Sequence, residues 1–231
     1  MQKGKKRLFT IPFAGGNKFS FNKFDQYLED HFLLHHLELP GRGERITEEL
    51  MKDIYEVRDD LFHQIKDKID TEYLIYGHSL GALLGYLLIL LLEEKNLRTP
   101  SRFIVSGRAN PLMKPPLIRH NLSEDRFIQS LRDLGGMPSE FFDHPELFEF
   151  FEPILRADFE VVECFHFQEE RKIGAPITVL HGENEFFDVL ESKKWKKFTT
   201  YKEIDFHMMK GDHFFIYNHI QRISDILKEN I

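Results

Sequence analysis

The chain has 231 residues, 42% hydrophobic and 30% charged, with a formal net charge of −7. That composition suits one globular domain able to bury a substantial core, and it excludes an intrinsically disordered chain. The acidic balance argues against general affinity for nucleic acid, and the single cysteine, Cys164, excludes an internal disulfide and fits a reducing cytosol. Cys164 itself reads as a small buried residue.

From the N-terminus, MQKGKKRLFTIPF is basic and then apolar, but its apolar part is only about six residues, short for a signal-peptide core. The first strand is expected over 7–13, a helix near 21–30 and a second strand over 33–39. A helix near 47–68 follows, then a strand at 73–77 that runs into a helix near 80–96. That last helix contains the apolar run Ala82–Leu92, shorter than the ~20 residues a membrane span requires. A cytoplasmic protein without a membrane segment is expected. Strands are then expected at 102–107, 177–182 and 200–206, with helices near 190–198 and 214–229. Alternating strands and helices imply an α/β fold, a mainly parallel sheet flanked by helices. Ligands sit at the carboxyl ends of such strands, so the loops starting at Phe13, Pro40, Ser79, Gly107 and Gly182 should share one rim.

The stretch 108–168 breaks this alternation. It is rich in Phe, lacks a convincing strand and shows helical patches at 123–133, 145–155 and 157–165. At about 60 residues it is too long for a plain crossover, and it reads as a helical lid inserted into a single domain spanning 1–231.

Gly77-His78-Ser79-Leu80-Gly81 fits G-x-S-x-G, with a strand expected before it and a helix after it. A nucleophile elbow requires that context: the serine sits on a tight turn, and the flanking glycines leave room for backbone to pack on backbone. A serine hydroxyl needs a base to take its proton. Twelve histidines are present, and His213 in KGDHFFIYNHI is the one placed between the last strand and the last helix, on the rim of Ser79. His207 is expected at the end of the strand itself. The acid that orients the imidazole should follow the strand ITVLHG, where Glu185 is the first choice and Asp188 the second. The chain order Ser79, acid, His213 is that of α/β-hydrolases. Leu80 N–H at the helix start and Ala14 N–H in the PFAGG loop are the expected oxyanion donors.

The strings IPFAGGNKFSF, LELPGRGER, YGHSLGALLGY, LGGMPSE, ILRADF and GDHFF together resemble the type II, stand-alone editing thioesterases of nonribosomal peptide and polyketide synthetases. The resemblance covers nearly the whole chain. It implies an α/β-hydrolase fold and hydrolysis of acyl thioesters from the phosphopantetheine arm of an acyl or peptidyl carrier protein. By that resemblance Ser79 is the nucleophile, His213 the base, Ala14 and Leu80 the oxyanion donors, and no metal or organic cofactor takes part. Where that family usually has aspartate this chain has Glu185. Arg42 and Arg45 in PGRGER lie on the expected rim, either as phosphate contacts or in local salt bridges, and the lysines around Trp195 read as a solvated helix face.

Overall fold

The computed structural model describes residues 4–137, 139–166 and 169–230. Pro138 of the LGGMP string and Gln168, the expected end of the insertion, lie outside the described residues.

Six strands, β1 (Lys6–Ile11), β2 (Phe32–His36), β3 (Tyr73–His78), β4 (Arg102–Ser106), β5 (Ile177–Gly182) and β6 (Asp205–Met209), form one sheet in the order β2-β1-β3-β4-β5-β6. Every pairing is parallel. Side chains alternate between its two faces, as a strand period of two dictates. Phe9, Tyr73, Ile75, Phe103, Val105 and Val179 join one buried cluster, while Leu8, Leu74, Tyr76, Ile104 and Leu180 join the other. The first face is covered by α2 (Ile54–Ile65) and α3 (Leu80–Glu94), the second by α1 (Asp25–Leu28) and α8 (Ile220–Lys228). Helix α3 is buried on all sides from Leu80 to Leu92, so it carries an apolar residue or glycine at every one of those positions. Among the described residues no helix is long and apolar enough to cross a membrane.

Strand order reverses between β1 and β3: β2 lies on one side of β1, while β3, β4, β5 and β6 extend from the other. The crevice outside the carboxyl ends of strands at such a point is the natural ligand site of an open α/β sheet. The loop after β1 and the turn after β3 flank it.

Between β4 and β5 lie α4 (Glu124–Leu134), α5 (Ser139–Asp143) and α6 (Pro145–Glu163). They bury a cluster of their own, Phe127, Leu131, Phe148, Leu155 and Phe159, against which Phe141, Phe142 and Phe151 pack. One buried ion pair ties them to the sheet rim. Arg42 Nη1 and Nη2 donate to Asp158 Oδ2 and Oδ1 at 2.5 and 2.7 Å, with both side chains almost wholly buried. Asp158 Oδ2 also accepts Gly15 N–H at 2.7 Å. The loops after β1 and β2 and helix α6 therefore meet at one carboxylate.

The structure corrects several sequence expectations. The last strand is Asp205–Met209, not 200–206, because β5 pairs from Thr178↔Asp205 to Gly182↔Met209 and thereby buries Met209. His207 consequently lies inside β6 rather than at its end. The two patches 145–155 and 157–165 are one helix running through Pro153, held by Ile154, Leu155, Ala157, Asp158 and Val161 buried along its length. The helix expected from residue 47 begins at Ile54, where Asp53 accepts N–H bonds from Tyr55 and Glu56 as its cap. Cys164 is exposed, since it follows the last turn of α6 and falls off its packed face. The lysines around Trp195 are exposed, as expected of a solvated face, with Lys194, Lys196 and Lys197 pairing with Glu191, Glu203 and Glu170, while Trp195 itself is fully buried.

Removing one member of a buried pair strands a charge in low dielectric, which costs about 3–5 kcal/mol, whereas an apolar pair of similar size is often neutral. Asp158→Ala should therefore lose about that much in urea unfolding, and Arg42→Met combined with Asp158→Leu should recover most of it.

Candidate active site

Ser79 occupies the turn between β3 and α3 with φ 54° and ψ −113°, a conformation that side-chain-bearing residues rarely adopt. Its N–H donates to Ser106 O at 2.8 Å, which holds the turn against the end of β4. The glycines on either side are demanded by contact distances. A Cβ on Gly77 would stand 2.3 Å from Gly81 O, and a Cβ on Gly81 would stand 2.1 Å from Ile11 O. Backbone-to-backbone packing of this kind leaves no room for any other residue.

His213, in the loop after β6, is buried with its Nε2 3.0 Å from Ser79 Oγ and its Nδ1 2.8 Å from Glu185 Oε2. A carboxylate can only accept, so Nδ1 carries a proton and Nε2 is left to accept from the serine hydroxyl. Such a chain can move a proton off the serine and leave the resulting imidazolium beside an anion. The Glu185 side chain is fully buried, and its Oε1 has no hydrogen-bond partner among the described residues. Asp188, the second choice for the acid, is engaged elsewhere: it caps α7 (Val189–Lys193) and accepts Leu190 N–H at 2.7 Å. Glu185, and not Asp188, therefore reaches His213.

Ala14 and Leu80 line the same cavity as Ser79 and His213. Leu80 is the first residue of α3, so its N–H has no intrahelical acceptor. Neither amide donates to an acceptor among the described residues. Two free N–H groups beside a serine hydroxyl can stabilise negative charge on a carbonyl oxygen. The cavity measures about 60 Å3 and is completed by Gly107, Phe159, Val162, Phe186 and Phe187 among others.

A match to the thioesterase domain model runs over residues 6–231. The chain belongs to the thioesterase domain family. This thioesterase is 31% identical over 216 residues to the gramicidin S biosynthesis protein GrsT of Aneurinibacillus migulanus, covering 92% of this chain and 84% of that protein. It is 32% identical over 216 residues to the medium-chain S-acyl fatty acid synthase thioesterase of Rattus norvegicus, covering 91% of this chain and 81% of that one. The crystal structure of ClbQ from the colibactin NRPS/PKS pathway superposes with a TM-score of 0.91 at 28% identity, over 98% of this chain and 97% of that chain.

Two features of the site lay beyond the sequence, while Arg45 forms the local salt bridge that was one of its two expected roles. Arg42 is consumed by Asp158 rather than left for a phosphate, and the partner stands 116 residues away, so no local pattern announced it. Arg45 pairs with Glu48 and Asp60. His78, written in the serine motif itself, packs its ring 5.0 Å from that of His213, with Nδ1 2.9 Å from Ser106 Oγ. Burial, reinforced by His213, holds the His78 imidazole well below its usual pKa and keeps it neutral beside His213.

A histidine depressed in the folded state contributes stability that is present above its unfolded pKa and is lost as pH falls through and below that value. Unfolded His78 titrates near 6.5. Stability should therefore begin to fall as pH drops below about 6.5, and in His78→Gln that limb of the curve should flatten. Thermal unfolding of both proteins across pH 4–8 measures it.

Proposed function

We propose that the chain hydrolyses acyl thioesters from the phosphopantetheine arm of acyl or peptidyl carrier proteins, clearing mis-primed or stalled groups from a nonribosomal peptide or polyketide synthetase. The observation that carries this reading is the chain Ser79 Oγ–His213 Nε2–Glu185 Oε2, at 3.0 and 2.8 Å, under the free N–H groups of Ala14 and Leu80. Membership of the thioesterase domain family and likeness to GrsT and ClbQ support it.

Ser79 Oγ attacks the thioester carbonyl carbon while His213 Nε2 takes its proton. The oxygen becomes an anion facing Ala14 and Leu80 N–H. The carbon–sulfur bond then breaks, and Nε2 returns the proton to sulfur, freeing the pantetheine thiol and leaving an acyl ester on Ser79. Water attacks that ester, Nε2 takes the water proton and gives it to Ser79 Oγ, and the carboxylic acid departs. Glu185 remains a carboxylate and holds the ring in place throughout. No cofactor enters any step. Helices α4–α6 act as a lid over this chemistry within one domain, and the work takes place in the cytoplasm.

The 32% identity to the rat enzyme favours a second reading, release of medium-chain fatty acyl groups. The two readings differ in the acyl chain that should react fastest.

Ser79→Ala should lower turnover on the order of 10⁴-fold or more, and Glu185→Gln by about 10⁴-fold if the wrong tautomer results. On wild type, one short acyl group should leave a holo carrier protein faster than it leaves coenzyme A, and acetyl should outpace decanoyl. Faster release of decanoyl would move the assignment to the medium-chain reading, and equal release from coenzyme A would remove the carrier from it.

A further inference from the structure

The cavity around Ser79 has a charged wall. Arg108, Lys114 and Arg119, from the segment between β4 and α4, all line it, against one anion, Glu163. Glu163 is already engaged: its oxygens accept Arg119 N–H, His120 N–H and the His120 Nδ1 contact, at 2.8 to 3.0 Å. The wall is therefore left with an excess of positive charge.

Arg108 is held firmly by its backbone, while its head meets no acceptor among the described residues. Its carbonyl accepts Trp195 Nε1–H at 3.0 Å, the preceding Gly107 N–H donates to Leu180 O at 3.1 Å, and Ala109 is buried behind it. Its Nε is sealed from solvent without a hydrogen-bond partner, and among the described residues the guanidinium forms no ion pair. Burial pushes its pKa down to about 10, and no carboxylate among the described residues stands near enough to raise it. Arg119 is similar but partly compensated: its Nε is also sealed and unpartnered, with the guanidinium 5.4 Å over the ring of Phe159 and Glu163 nearby. Elsewhere in the molecule a buried guanidinium is matched, as Arg42 is by Asp158. A planar fork of donors on the cavity wall, its Nε sealed and with no acceptor among the described residues, is complementary to a planar anion brought by a ligand.

We infer that the acyl pocket is built for an acyl group that itself carries a carboxylate, a dicarboxylic monothioester, with Arg108 pairing to that carboxylate and Arg119 as the second cation. This inference rests on the thioesterase reading above. The phosphate of the pantetheine arm is the other anion in such a substrate, but it lies the whole length of that arm from the thioester. Arg108 lies two residues after Ser106, whose carbonyl accepts the N–H of Ser79, and so belongs to the reacting end. An uncharged acyl group of the same shape leaves the guanidinium, with its sealed Nε, unpaired. Sites with buried polar groups discriminate strongly against substrates that cannot satisfy them.

The test compares kcat/KM for malonyl- and succinyl-pantetheine with their uncharged isosteres, isovaleryl- and 4-methylpentanoyl-pantetheine, none of which carries a phosphate. Wild type should favour the charged member of at least one pair by about tenfold or more. Arg108→Leu should cut that ratio by a similar factor, and Arg108→Lys, which keeps the charge but loses the fork, should retain part of it. If Arg108→Leu does not fold, the wild-type ratio decides alone. Ser79-dependent hydrolysis with the uncharged member equal or ahead in both pairs overturns the inference and leaves the thioesterase reading standing. An Arg108→Leu defect that is the same for all four acyl groups, and appears only on phosphopantetheine thioesters, assigns the residue to the phosphate and overturns it too. Absence of Ser79-dependent hydrolysis of every thioester takes down both.

Discussion

The contact on which the rim depends is the Arg42–Asp158 pair. Three segments distant in sequence converge there: the Ala14-Gly15-Gly16 loop, the PGRGER loop and helix α6. Desolvating both charges consumes much of what their attraction returns, so the pair is better understood as a device that fixes geometry than as a source of net stability. Bidentate contact with Asp158 leaves Arg42 little freedom to tilt, and the Gly15 N–H on the same oxygen locks the residue next to Ala14. Helix α6 would otherwise meet the sheet rim mainly through apolar side chains, which tolerate sliding.

The remaining parts of the site rest on a rigid platform. Helix α3 is enclosed on all sides, β3 is central in the sheet, and the turn between them is pinned to β4 through Ser106. His213 and Glu185 come from loops, yet both side chains are buried, and Phe186, Phe214 and the neutral His78 surround the imidazole at ring-centroid distances of 5.0 to 5.2 Å. A neutral neighbour matters there. A second charged imidazole would oppose protonation of His213, which the proposed chemistry requires in every cycle.

Much of this was legible in the sequence because its signals are local. A strand, G-x-S-x-G and a continuous apolar helix lie in one unbroken stretch, and chain order alone puts Ser79, Glu185 and His213 on one rim. The choice between Glu185 and Asp188 also had a local signal: Asp188 stands three residues before Glu191 at the start of a short helix, which is the pattern of a helix cap. What stayed hidden depends on distant partners. The start of β6 is set by its register on β5, where Met209 must face inward. The patches 145–155 and 157–165 join into one helix because buried side chains run along its whole length. Arg42 and Arg108 look alike in sequence, and only the fold reveals that one has a carboxylate waiting and the other has none among the described residues.

The backbone at Ser79 sets two pressures against each other. At φ 54° glycine would sit with less strain, so the position that most rewards a hydroxyl is also one where the chain would be more stable without it. Selection for stability alone would drift toward glycine at 79 and erase the oxygen proposed to react. Any programme of stabilising substitutions guided by folding free energy would be drawn to the same change, and would need this residue held fixed.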